Sequence, residues 1–449
     1  AKGGNSPAGT GLEFRGYLDQ KKSERVDTQA RVAQIDAKGD VLLKSGGTLE
    51  LVGTGIGSTG NKVANVTLEA DGPVQVKAAT DTRRAQGSSL GGGLELAGKT
   101  SADGKGGGLG GHFGSGRIDE TSSTATGAQW FASDKVSIRS AGLQDDAVHL
   151  QGLNVSADKV AVNATNGGLL IEAASSSEHR DNLELTAGAG INSTPGATPE
   201  DAKRGLYGRV QVNIDQRDNL THQNSQWRAQ HLAINSLLDT RLEGVRIDAG
   251  KIDGEIGGNL RVASRQDRIN ALKVEADARL SKEKNPQGYI NAAKSVAGPL
   301  GSKAEKAVGP AVQKVDPNLS PTFNFKLEHA QSESVASQST LSGRDGIHLD
   351  VAGATELSGA RLQTAKGKVE LGSGPVTQQT LNGRDYRREV GINASKAPVD
   401  LITGLIDAYK PGNSSTSGET PVDLGLVRTS GHDRTTTVAS SIHQPGNRH

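Results

Sequence analysis

The chain has 449 residues, with 51 Lys and Arg against 50 Asp and Glu, and no basic blocks of the kind that mark a nucleic-acid binder. It has no Cys, which excludes a disulfide framework and thiolate metal sites, and no run of about 18 apolar residues that could cross a membrane as a helix. With 60 Gly and only 3% aromatics, its apolar content is mostly Val, Leu, Ile and Ala, which suits small aliphatics stacked in a one-dimensional core. Met is also absent, and Ala1-Lys2-Gly3-Gly4 reads as a cut inside a longer polypeptide whose start codon lies elsewhere, so no signal peptide is expected.

Short apolar-x-apolar segments recur along the chain. Val66-Thr67-Leu68, Val74-Gln75-Val76, Val136-Ser137-Ile138, Val148-His149-Leu150, Val160-Ala161-Val162, Val245-Arg246-Ile247, Ile347-His348-Leu349 and Val369-Glu370-Leu371 all alternate with period two, as half-buried strands do. Gly, Asn, Asp or Ser punctuates them, as tight turns require. The strands sit about 10 to 12 residues apart, so two steps make a rung of roughly 20 to 24 residues, as in a parallel β-helix.

A longer period of roughly 100 residues overlies the short one. In each unit the chain leaves the rungs through a charged stretch such as Asp81-Thr82-Arg83-Arg84, Glu178-His179-Arg180-Asp181, Arg265-Gln266-Asp267-Arg268 or Arg384-Asp385-Tyr386-Arg387-Arg388. An outgoing strand follows (Gly93–Ala97, Leu183–Ala187, Leu272–Ala276, Glu389–Asn393), then a variable tip, then a return strand (His112-Phe113, Val210–Ile214, Phe323–Leu327, Leu424–Val427). The array is read as continuous over 1–449, with units at about 28–126, 127–223, 224–338 and 339–440 and flanking segments 1–27 and 441–449.

The tips differ. Gly106 to Gly116 is Gly-rich and reads as mobile. Thr198-Pro199-Glu200-Asp201 opens a short helix, Tyr289 to Val315 is Ala-rich, and Leu401, Ile402, Leu405, Ile406 and Tyr409 form an amphipathic helical stripe between Pro398 and Pro411-Gly412. The helices are expected to lie against the flank of the rod, with contact to a membrane or a partner as the alternative.

These residues resemble the haemagglutinin repeats of filamentous haemagglutinins and of the exoproteins of contact-dependent growth inhibition. Val76-Lys77-Ala78-Ala79-Thr80-Asp81 matches the family's Ala-Ala-x-Asp exit. Ile171-Glu172-Ala173-Ala174-Ser175-Ser176-Ser177 repeats it with Ser in place of Asp. Ser88-Ser89 precedes the hairpin-like Leu90-Gly91-Gly92-Gly93, and Gly127-Ala128-Gln129-Trp130-Phe131-Ala132 stands at the re-entry with Trp in place of the usual aliphatic. The resemblance implies an all-β fold, a right-handed parallel β-helix (β-solenoid) with lateral β-hairpin and short helical excursions. It also implies export through an outer-membrane partner transporter to the bacterial cell surface, with a periplasmic hold before deployment. The function implied is a structural segment supporting contact-dependent toxin delivery across a target-cell outer membrane, or a filamentous adhesin stalk. No nucleic-acid partner is expected, and the rod is expected to be monomeric.

No catalytic, cofactor-binding or metal residues are assigned. Gly93-Leu94-Glu95-Leu96-Ala97-Gly98-Lys99-Thr100 fits the phosphate-loop pattern, but its middle alternates like a strand and Ser101–Gly107 cannot be the helix that pattern needs. Gly106, Gly108 and Gly111 fit a dinucleotide pattern without a βαβ context. The ten His are scattered, and Asp145-Asp146 reads as a solvated turn. A β-helix polysaccharide lyase or hydrolase is the rival reading, with Arg344, Asp345 and His348 as the candidate trio; the sparse aromatics weigh against it.

Overall fold

The computed structural model describes residues 10–101, 104–193, 204–281, 320–395 and 427–445, and every regular element within them is a β-strand. The short strands follow from the alternation. In Val63–Ala70 and Lys159–Ala164 the inward Val66, Leu68, Val160 and Val162 are buried, while the residues between them are not. Branched aliphatics suit this pleated, half-buried setting.

These strands form two parallel sheets. One has eight strands: Leu49–Val52, Val74–Lys77, Val148–Gln151, Leu169–Glu172, Thr240–Glu243, Leu260–Ala263, Thr355–Ser358 and Val376–Gln379, stacked in chain order. The other has 13 strand segments, and its register slips between Ala132 and Lys135 and between Ala249 and Lys251. One pass through both sheets is a coil, and successive coils meet at like positions. Ile56, Trp130, Val155, Trp227, Ile247, Leu341, Leu362 and Ile442 make one column. Val66, Val136, Val160, Leu232, Ile252 and Ile347 make a second. Leu51, Val76, Leu150, Ile171, Leu242, Val262 and Leu357 face them from the eight-stranded sheet.

Together these columns make the core. Each fully buried side chain contributes about 1.5–3 kcal/mol. Both Trp of the first column are buried, because each indole N–H finds a carbonyl: Trp130 Nε1 donates to Thr54 O and Trp227 Nε1 to Leu153 O, both at 2.9 Å.

After every second coil the chain leaves. Its excursions build a nine-stranded antiparallel sheet beside the coils, in chain order: Thr10–Thr28, Ala79–Ser101, Gly104–Thr126, Ala174–Ser193, Arg204–Gln223, Asp267–Ser281, Ser320–Ser334, Leu381–Ser395 and Val427–Val438. Two coils climb two strand spacings of about 4.8 Å, and one hairpin adds two strands at the same spacing. The rises match, so neighbouring hairpins pair directly, as at Thr28 with Thr82, Ser177 with Ser123, Leu220 with Arg268 and Glu333 with Arg384.

Two expectations change. The charged stretches at Asp81–Arg84 and Glu178–Asp181 are not links before a strand; they lie within the long strands Ala79–Ser101 and Ala174–Ser193. The Gly-rich tip at 106–116 is strand, held by pairs such as Gly93 with His112 and Phe113 with Ala187. The hairpins join into one sheet, and Thr10–Thr28 adds a strand at its edge. The helices expected near Thr198, over Tyr289–Val315 and over Leu401–Tyr409 lie outside the described residues.

Candidate functional site: the exit corner and the lateral sheet

Two kinds of corner end the strands of the eight-stranded sheet. Where the chain stays in the coil, the sequence is Leu-x-Gly: Leu51-Val52-Gly53, Leu150-Gln151-Gly152, Leu242-Glu243-Gly244 and Leu357-Ser358-Gly359. All four glycines have left-handed φ, between +58° and +68°. Where the chain leaves, a residue with a Cβ stands instead, as in Lys77-Ala78-Ala79, Glu172-Ala173-Ala174 and Ala263-Ser264.

The two corners nest. Gly53 N–H donates to Lys77 O at 2.8 Å, Gly152 to Glu172 O at 2.9 Å, Gly244 to Ala263 O at 2.8 Å and Gly359 to Gln379 O at 2.9 Å. A Cβ on Gly152 would lie 2.7 Å from Ala174 Cβ, and one on Gly244 would lie 2.6 Å from Ala173 Cβ. Glycine is therefore needed for both conformation and space. The buried alanines of the exit are small for the same reason.

Two residues beyond Ala79 and Ala174, a side chain caps the preceding return. Asp81 Oδ1 accepts from Ala30 N–H at 2.8 Å, and Ser176 Oγ accepts from Ala125 N–H at 3.0 Å. Asp267 Oδ1 does the same for His222 N–H at 2.7 Å. Ser in place of Asp in the second unit thus keeps the function of the position. Buried hydroxyls complete the junction: Ser225 Oγ donates to Glu172 O at 2.7 Å, Ser264 Oγ to Gly359 O at 2.6 Å and Ser339 Oγ to Ala263 O at 2.6 Å. At Glu172 O and Ala263 O the hydroxyl is a second donor beside the glycine N–H of the nested corner.

The same corner brings two carboxylates together, since Glu172 and Glu243 are register partners on adjacent coils. Arg265 Nη2 bridges them, at 2.9 Å from Glu172 and 2.6 Å from Glu243, and His149 Nε2 lies 2.9 Å from Glu172 Oε1. Burial pushes the Glu172 carboxyl up, but His149 and Arg265 outweigh it and hold the group below its ordinary value. Both acids are thus tied to cations, an arrangement that clamps coils together.

The motif matches fall into place as structure. Gly93–Thr100 is paired on both sides, with Tyr17 and His112 at one end and Thr10 and Lys105 at the other, so its backbone cannot cradle a phosphate. Gly106, Gly108 and Gly111 lie in the strand Gly104–Thr126. Arg344 pairs with its neighbour Asp345 at 3.0 Å, while His348 turns to Glu370 at 2.8 Å, so the candidate trio does not converge. Asp146 is held by Arg241 at 2.5 Å. Among the described residues no group of three His, Asp or Glu is placed to hold a metal ion.

Sequence reading found the exit alanines and Asp81 but missed the corner glycines. The signal was present as Leu-x-Gly at one position of every alternate coil.

Residues 16–172 and, overlapping them, 115–277 match the family described as Hemagglutinin repeat, which together is more than half of the chain. The chain is 29% identical over 476 aligned positions to a protein of Serratia marcescens named Hemolysin, an alignment that covers 87% of this chain and 29% of that protein. It is 23% identical to a Hemolysin of Proteus mirabilis, covering 84% of this chain and 27% of that protein. The chain thus spans less than a third of the length of these relatives. No solved structure matches it.

Proposed function

This chain belongs to the hemagglutinin-repeat family, and on that premise we propose that it is a structural, non-enzymatic segment of a secreted bacterial surface exoprotein. The coils close as a right-handed parallel β-helix, following the usual hand of parallel crossovers. The four units proposed for the array, at about 28–126, 127–223, 224–338 and 339–440, each combine coils with a hairpin. The segment reaches the cell surface through an outer-membrane partner transporter, and neighbour-by-neighbour coil stacking draws the chain outward as it folds.

The observation that carries this reading is the matched rise of coil and lateral sheet. It makes a stiff rod with a broad blade along one side, which suits reach and contact more than turnover. Within that role we favour contact-dependent delivery of a toxin across a target-cell outer membrane. Relatives bearing the name Hemolysin support a role at a target membrane. A filamentous adhesin stalk is the second reading, and the blade as a large exposed surface favours it.

The test removes one whole repeat unit from the full-length exoprotein and scores attachment to target cells separately from target-cell inhibition. Attachment kept with inhibition lost supports delivery. Joint loss of both supports the adhesin stalk. Retention of both with a shortened rod would overturn a structural role for the segment.

A further inference from the structure

On one face of the lateral sheet, register sets two rows side by side. One runs Lys21, Ser89, Gly116, Glu184 and Asn213, the other Ser23, Gly87, Ile118, Asn182 and Asp215. The row between them, Lys22, Ser88, Arg117 and Leu183, points to the opposite face, so it gives this face backbone alone. Between the two rows lies a trench of about 500 Å³, within the size range of pockets that hold ligands.

The trench is open because its walls are short. Ser89 and Gly116 stand on one side, Ser23 and Gly87 on the other. A Cβ on Gly116 would lie 2.8 Å from Ser89 Oγ, so a side chain added there narrows the space. On the later strands the same two rows carry long charged side chains, and ion pairs cross from row to row: Lys273 to Glu275 at 2.6 Å, Lys326 to Glu389 at 3.4 Å, and Lys326 to Glu328. There the space is bridged over. From Thr10–Thr28 to Arg204–Gln223 it is not.

Its chemistry is polarised. Lys21 stands exposed at one end, on the edge strand. Glu184, Asn182 and Asp215 stand at the other. Beside them Glu120, Glu178 and Asp215 share one guanidinium, that of Arg180, which leaves this end a surplus of negative charge. Asn182 Nδ2 donates to Glu120 Oε1 at 2.8 Å, while Asn182 Oδ1 is buried and accepts from no group among the described residues. A buried acceptor without a donor is costly. The middle of the trench is apolar: glycine Cα atoms and Ile118, which is 46% exposed.

We propose that the trench holds an extended peptide segment of a partner protein, with a Lys or Arg at the end formed by Glu184 and Asp215 and an acidic residue at Lys21. Four strand spacings separate the strand of Lys21 from that of Asp215, about 19 Å, the reach of roughly six extended residues. A basic head supplies the donors that Asn182 Oδ1 and the surplus carboxylates lack, and its stem covers Ile118. A glycan would call for polar groups along its whole length, whereas here charge sits at the ends and the middle is apolar.

The probe is the hexapeptide Lys-Ala-Ala-Ala-Ala-Asp with capped ends, passed over the immobilised intact chain and followed by surface plasmon resonance. It should saturate below about 1 mM. The versions with Asp at both ends or Lys at both ends should bind about five-fold more weakly, the upper range for half-exposed ion pairs. Lys21→Glu should reverse the preference and favour the peptide with Lys at both ends. Gly116→Val, a residue suited to a strand, should abolish binding of all three. Should Gly116→Val fail to fold, Lys21→Glu on the exposed edge decides alone. No saturation, equal binding of the three peptides, or an unmoved preference in Lys21→Glu overturns the proposal. Competition by maltohexaose, a neutral sugar, would assign the trench to a glycan and overturn it as well.

Discussion

In the coil, Val136 stacks between Val66 and Val160, and the pattern repeats at every inward position down to Ile347. In the lateral sheet the proximal residues are Arg, Asp, His and Ser, and what neighbours share is a backbone ladder with ion pairs across it, such as Arg180 with Glu120, Glu178 and Asp215. The coil is specified by side chains and tolerates little at its inner positions. The blade is specified by backbone pairing and by the height at which each hairpin departs. The two regions should therefore fail in different ways.

The largest expected effect tests the matched rise. Deleting residues 136–159 removes one coil and joins Lys135 to Val160, the register partner of Val136. Neighbouring hairpins then leave one coil apart instead of two and cannot pair. Deleting 136–231 removes two coils with their hairpin and joins Lys135 to Leu232. Thermal melts followed by circular dichroism should show the smaller deletion lowering Tm by roughly 10 °C or more, with the larger deletion much milder. Equal damage from both would refute commensurate growth.

Next come charges placed in each region. Val136→Asp or Ile347→Asp buries an unpaired carboxylate in a column and should cost about 3–5 kcal/mol in denaturant unfolding. Leu94→Asp, on the open face of the blade, should stay within about 0.5 kcal/mol. Equal costs at Ile347 and Leu94 would mean that the blade is packed like the coil.

The corner should respond at an intermediate level. Gly244→Ala forces left-handed φ on a residue with a Cβ and drives that Cβ into Ala173, for a cost of about 1–3 kcal/mol. Gly46→Ala, whose added Cβ would meet only Asp71 at 3.9 Å, is the neutral comparison. Proteolysis should cut the first variant sooner, and adding Ala173→Gly should recover part of the loss. No recovery would place the strain elsewhere.

The smallest effect is titration. Asp218 raises the pKa of His179 on the blade through a hydrogen bond at 2.5 Å. A raised histidine contributes stability that is complete below its unfolded value near 6.5 and is lost as pH rises through the folded value. Glu172 is depressed, so its contribution holds above its unfolded value and is lost as pH falls through the folded one. Between pH 8 and 6, protection of the amides around His179, taken relative to the intrinsic exchange rate at each pH, should rise while that around Glu172 stays unchanged. Lower relative protection at His179 on acidification would reverse the sign and dismiss the pair.

The coil was legible because its information is local. Val160-Ala161-Val162 shows its inward face in three letters, and the Asn and Gly that follow announce the turn. The outgoing and returning strands were visible for the same reason. Their union into one sheet was not, because Ser177 and Ser123, or Leu220 and Arg268, are partners chosen by coil height and leave no mark in either segment. Gly106–Gly116 misled for a related reason: its residues favour a mobile loop when read alone, and only strands on both sides hold them extended. At the exit, Asp81 and its Ser176 counterpart were readable from the motif, whereas the cap that both positions make showed only once Ala125 N–H was seen at the Ser176 oxygen.

One hairpin per two coils also makes the length of such a protein discrete. An in-frame duplication that copies a Leu-x-Gly coil, its exit coil and the hairpin that follows slots into the stack unnoticed by its neighbours. A duplication of half that module leaves a strand with no ladder to join. A lineage built this way can lengthen or shorten its reach only in whole steps, and the alternation at the corner of glycine with a residue that bears a Cβ is the mark by which each step can be counted in a genome.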